Sequence, residues 1–142
     1  MPRLSILAVR ASLLYLLAGF SLGAILLAHK GVPFAPWAWR FLPGHIDLLL
    51  FGFVIQLAMG IGYWILPRYP GSAAPRGRAW PVWAAVGLIN AGVLLALAAG
   101  WFNLPAGWSL AARLLEGAAA ALFAAHAWGR VRPFLVGKAK PS

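Results

Sequence analysis

The chain has 142 residues, of which 63% are hydrophobic and 10% charged, with a net charge of +10 and no cysteine. Soluble domains carry about a quarter of charged residues, so this composition excludes an ordinary water-soluble globule and points to one integral membrane domain. The missing cysteines exclude disulfides, thiolate metal sites and cysteine nucleophiles; the positive charge falls between apolar stretches, where lipid headgroups and topology explain it better than nucleic acid does.

In chain order, four apolar stretches predict helices over about 8–29, 45–66, 81–100 and 107–129. Each is close to the ~20 residues that cross a hydrocarbon core of about 30 Å, and within lipid only a helix satisfies its own backbone. The expected fold is therefore all-α, a four-helix transmembrane bundle forming a single domain. Prolines punctuate it at 33 and 36, at 67, 70 and 75, at 105, and at 133. The first stretch is interrupted by Arg10 and lacks a small-residue cleavage site, so it reads as a retained helix and not as a signal peptide. Arg3, Arg10, Arg68, Arg76, Arg78, Arg130, Arg132, Lys138 and Lys140 fall on one side, against Lys30 and Arg40 on the other. This asymmetry predicts cytoplasmic termini in a multi-pass protein of the cell membrane, the inner membrane if bacterial. Tryptophans near the span ends (Trp37, Trp39, Trp80, Trp83, Trp101, Trp108, Trp128) read as interfacial belts. Gly19 and Gly23 form a small-xxx-small pair that allows close helix approach.

Polar residues inside spans are costly and each needs a reason. They are His29, His45, Asp47, Gln56, Asn90, Arg113, Glu116 and His126. His29 ends the first span and His45 starts the second, so the two lie at one level near the outer face, with Asp47 beside them. His126 sits about 28 Å deeper than the start of its own span, too far to share a metal with His45; it reads as a headgroup-level histidine. At 100° per residue, His45, Gly52, Gln56 and Tyr63 share one stripe. A glycine below a histidine on one face leaves room for a flat group such as haem; equally, the stripe is an interior packing face. Arg113 and Glu116 are three apart and pair on one face, with Asp47 as the only other acid. Either the three form a structural ion-pair cluster, or Arg113, with Arg40 or Lys30, holds haem propionates while Glu116 relays a proton or orients a ligand histidine.

The stretch "HIDLLLFGFVIQLAMGIGYWILPR", residues 45–68, resembles the second transmembrane helix of haem-copper oxidase subunit I and of the NnrS-type haem and copper proteins. Those helices begin outside with a histidine, carry a mid-helix glycine and close on "LPR". The resemblance implies that His45 is an axial ligand of haem b. It departs from the pattern at Asp47, where many relatives have a second histidine, and the oxidase takes its second haem ligand and its copper ligands from helices this chain lacks. Complete oxygen reduction is therefore not expected. The expectation is a haem-binding membrane protein for electron transfer or for binding a diatomic gas such as nitric oxide. His45 and then His29 are its ligands, Gly52 and Gln56 line it, and Arg113 and Arg40 meet its propionates. Four helices enclose a haem poorly, so a homo-oligomer is expected, together with a redox partner. The alternatives are a copper or zinc site from His29, His45 and Asp47, and a non-catalytic accessory or assembly subunit.

Overall fold

The computed structural model of the chain describes residues 1–69 and 73–131. Pro70, Arg132, Pro133, Lys138 and Lys140, which enter the arguments above, lie outside them. The described residues are helical, without strands, and four helical segments are long and apolar enough to cross a membrane.

Helix α1 spans Arg3–Gly31 and stops at Val32, whose extended backbone is what a residue preceding proline prefers. The second span is compound. A 3-10 turn over Pro36–Phe41 runs into α2 (Leu42–Asp47), then a π-helical stretch (Leu48–Ile55), then α3 (Gln56–Ile65). It ends at Leu66, extended before Pro67. Helix α4 covers Trp80–Trp101, with Pro81 in its first turn where no backbone N–H is needed, and α5 covers Ala106–Trp128. All four predicted spans are present. The second starts nine residues ahead of its predicted boundary, because Pro36 and Pro43 each fall in a first turn and do not interrupt the path. The first starts at Arg3, with Leu4 and Ala8 packed on Tyr63, Val82 and Val86.

Helices α4 and α5 pack extensively on each other, and α1 packs along the whole second span. Glycines set the closeness of both contacts. A Cβ at Gly19 would stand 2.5 Å from the Leu49 side chain, and one at Gly92 would stand 2.7 Å from Glu116 Cγ. A second core cluster joins Met59, Ile89 and Ala119 across α3, α4 and α5. Leu14, Leu17, Phe20, Leu27, Leu114 and Trp128 point outward, as side chains solvated by lipid would. The bundle thus has a histidine end, where α1 finishes and α2 begins, and a basic end, where α3 and α5 finish.

Candidate functional site

The stripe on the second span exists, and it faces α1. His45 lies on Gly23, Gly52 meets the Tyr15 ring, Gln56 reaches the Ala8 carbonyl, and Gly60 packs on Ser5, Ala8 and Val9. A Cβ at Gly52 would stand 2.7 Å from Tyr15 Cγ, so the flat group that Gly52 admits is the chain's own phenol.

His45 and His29 are fixed in opposite tautomers by the backbone. His45 Nδ1 is 2.9 Å from the Gly19 carbonyl oxygen. A carbonyl only accepts, so Nδ1 carries the proton and Nε2 carries a lone pair. Among the described residues Nε2 has no hydrogen-bond partner. The ring borders an open apolar groove of about 410 Å³, shared with Phe20, Gly23, Ala24, Leu27 and Leu49. A histidine donating through Nδ1 to a carbonyl, with Nε2 free, has the arrangement usual for metal-bound imidazole. His29 is reversed. Its Nδ1 accepts the backbone N–H groups of Phe34 (3.0 Å) and Ala35 (2.8 Å), which leaves the proton of the neutral ring on Nε2. The ring is buried edge-on against Phe34 and Trp39 and ties the end of α1 to the turn that follows. It stands six residues beyond Gly23, about 9 Å further along α1 and about 240° around it. The structure does not bring the two histidines together.

Arg113, Asp47 and Glu116 do converge. Arg113 Nη1 donates to Asp47 Oδ1 and, at 2.9 Å, to Glu116 Oε2. Both acids are fully buried, and among the described residues Asp47 Oδ2 and Glu116 Oε1 have no hydrogen-bond partner. The ion-pair cluster expected from the scarcity of acids is therefore present, and it engages the arginine assigned to a propionate. Arg40 lies elsewhere, at the edge of an apolar cleft with Trp37, Phe41 and Trp101, on the side of α1 away from the His45 groove. Among the described residues, no group of three or more His, Asp or Glu side chains is arranged to hold a metal ion.

Mid-span, Gln56 belongs to a neutral chain. Tyr15 Oη donates to Asn90 Oδ1 at 2.7 Å; Asn90 Nδ2 donates to Gln56 Oε1 at 3.0 Å and to the Val86 carbonyl; Gln56 Nε2 reaches the Ala8 carbonyl at 3.4 Å. Tyr15 is missing from the set of polar span residues read off the sequence, although a phenol in an apolar helix signals the need for a partner.

A second omission is at the basic end. Arg130 is buried at 1% exposure. Its Nη2 donates to the carbonyls of Tyr63 (3.1 Å) and Leu66 (2.7 Å), its Nε donates to that of Pro67 (3.1 Å), and its guanidinium lies 5.5 Å from the Tyr63 ring centroid. Burial pushes its pKa below the ordinary arginine value and nearby Arg76 adds to the fall, while Tyr63 and Tyr69 oppose it. In sequence it is one basic residue among several after the fourth span. His126 packs 6.0 Å from the Tyr63 ring and lies beside the Arg76–Gly77 backbone.

Comparison of the chain with protein-family models, with curated proteins and with solved structures returns no match.

Proposed function

We propose that the chain is a haem-binding membrane protein in which the His45 imidazole supplies one axial ligand through Nε2, serving electron transfer or the binding of a diatomic gas such as nitric oxide. The observation that carries this reading is the bond between His45 Nδ1 and the Gly19 carbonyl, which leaves Nε2 unprotonated beside an apolar groove. The residues fit one protein ligand from this chain. His29 presents a protonated Nε2, Gly52 is covered by Tyr15, and Arg113 is engaged by two acids. A bound haem would supply redox or gas-binding chemistry at its iron. The chain's own part is to hold the imidazole by Gly19 and to exclude water with Phe20, Leu27 and Leu49. The groove opens outward on α1, so a second copy of the chain would complete its wall, and both termini would be cytoplasmic by the placement of Lys and Arg.

The test is the absorption spectrum of protein purified from haem-replete cells, oxidised and reduced. A Soret band lost in His45→Ala and retained in His29→Ala supports the assignment. A colourless, folded wild type, or a band indifferent to His45→Ala, ends it. One observation favours a second reading, the non-catalytic accessory subunit: the Asp47, Gln56, Asn90, Arg113 and Arg130 side chains all join one helix to another. On that reading His45→Ala weakens association with a partner and leaves pigment unchanged. A copper or zinc site at the same Nε2 is read by elemental analysis.

A further inference from the structure

The chain has only two acidic side chains, Asp47 and Glu116, and Arg113 uses both. The basic end therefore has no carboxylate side chain to set against its arginines; Glu116 is fourteen residues before Arg130, about 21 Å along the helix. Arg130 is nevertheless buried, and among the described residues backbone carbonyls and the nearby Tyr63 and Tyr69 compensate it. Three buried nitrogens here have no hydrogen-bond partner among the described residues: Arg130 Nη1, Arg76 Nε and His126 Nε2. They belong to neighbouring groups. The His126 ring lies beside the Arg76–Gly77 backbone, Arg76 and Arg130 are within electrostatic reach of each other, and His126 and Arg130 flank the same Tyr63 ring. Gly77, at φ +75° and so in the region that favours glycine, brings the segment over the end of α5: a Cβ there would stand 3.1 Å from His126 Cε1. Exposed Arg68 and Arg78 flank this place.

Buried donors left unpaired are rare and mark a missing partner, such as an ion. Guanidinium groups close together without an acid call for an anion, and two of them present several N–H donors in the planar fork that matches phosphate. We propose that Arg76 and Arg130, with the His126 ring as one wall, form a site for a phosphate group at the basic end of the bundle. Arg130 is the fixed part, held by α3; Arg76, on the connecting segment, closes onto the anion. The helices around it are apolar enough to cross a bilayer, so the phosphate of an anionic phospholipid at that surface and a free phosphate offer the same chemistry.

The experiment uses the whole protein in neutral phosphatidylcholine nanodiscs, titrated in one arm with phosphatidylglycerol and followed by native mass spectrometry. In the other arm it is titrated with inorganic phosphate and followed by ³¹P nuclear magnetic resonance. Saturable binding in either arm, weakened about tenfold or more in Arg76→Gln and unchanged in Arg40→Gln, supports the site; the arm in which it appears identifies the source. Arg76 is half-buried on a connecting segment and its replacement leaves the Arg130 bonds in place, so retained helicity in Arg76→Gln separates binding from folding. No saturable binding in either arm, equal binding by wild type and Arg76→Gln, or equal losses in Arg76→Gln and Arg40→Gln overturns the proposal.

Discussion

At the histidine end, Arg113 bridges two buried carboxylates; at the basic end, Arg130 lies among carbonyls at and just beyond the end of α3. In the first, formal charges compensate one another and leave an excess of negative charge, with one oxygen of each acid unpartnered among the described residues. In the second, the compensation is the negative end of a helix dipole, and the excess is positive. A helix terminus has four carbonyls without intrahelical partners, so a guanidinium placed there satisfies the backbone while the backbone stabilises the guanidinium. The contrast shows how a chain whose two acids are both taken by half-exposed Arg113 buries a further arginine: it gives Arg130 to the backbone.

The largest effect is expected where the backbone depends on the side chain. Arg130→Ala strips a charged donor from the carbonyls of Tyr63, Leu66 and Pro67 together, at about 3–5 kcal/mol in all, since hydrogen bonds to charged groups contribute roughly 1.5–3 kcal/mol each and do not add fully. It is read as a lower thermal midpoint in detergent, with amide exchange rising first over residues 60–66. An unchanged midpoint would make the Arg130 contacts incidental. Arg113→Ala comes next. Removing one member of a buried ion pair leaves uncompensated charge, but 42% of the Arg113 side chain is exposed, and screening holds the cost to about 2–3 kcal/mol. Replacing the whole set (Asp47→Asn, Arg113→Met, Glu116→Gln) should recover most of that loss in the same melt. If the triple variant is less stable than Arg113→Ala, the acids stabilise the fold by some route other than Arg113.

The glycine stripe links the two ends and tests the packing between them. Gly52→Ala places a methyl within 2.7 Å of Tyr15 Cγ on an interface that must then part or tilt the ring. Overpacking of this kind costs about 1–3 kcal/mol. Gly23→Ala is aimed further along the same interface, where the new methyl would meet His45 Cε1 at 2.5 Å. It should displace the imidazole and, on the proposed haem ligation by His45, reduce pigment while the melt changes little. The two variants therefore separate stability from ligation, and identical behaviour in both assays would dissolve the distinction.

Much of this was legible in the sequence, for physical reasons. Apolar length reports a span directly, because the bilayer fixes how many residues are needed, and prolines 67 and 105 mark two of the boundaries as read. The Asp47–Arg113–Glu116 cluster was legible because scarcity leaves those acids few partners. Periodicity placed His45, Gly52 and Gln56 on a common face, but it says nothing of what meets that face: Gly52 admits a bound ring and a tyrosine from α1 equally well. The opposite tautomers of His29 and His45 were invisible, since one depends on the Gly19 carbonyl and the other on two N–H groups in a turn. Arg130 escaped because its partners are backbone atoms at a helix end some sixty-five residues away.

The smallest expected effect lies midway between the two ends, where no charge is involved. Asn90 accepts from Tyr15 and donates to Gln56, so Asn90→Leu unpairs a phenol and an amide at once. Side-chain hydrogen bonds between membrane helices average about 0.6 kcal/mol and reach about 1.7 kcal/mol. The unfolded chain in detergent finds other partners for the same groups, so the loss should be about 1 kcal/mol, well below Arg130→Ala. Tyr15→Phe then supplies the second corner of a double-mutant cycle. If Tyr15 acts on stability only through Asn90, the Tyr15→Phe cost disappears in the Asn90→Leu background. Full additivity would mean that the phenol stabilises the bundle through its ring on Gly52 alone. A melt loss from Asn90→Leu as large as that from Arg130→Ala would remove the distinction between neutral middle and charged ends.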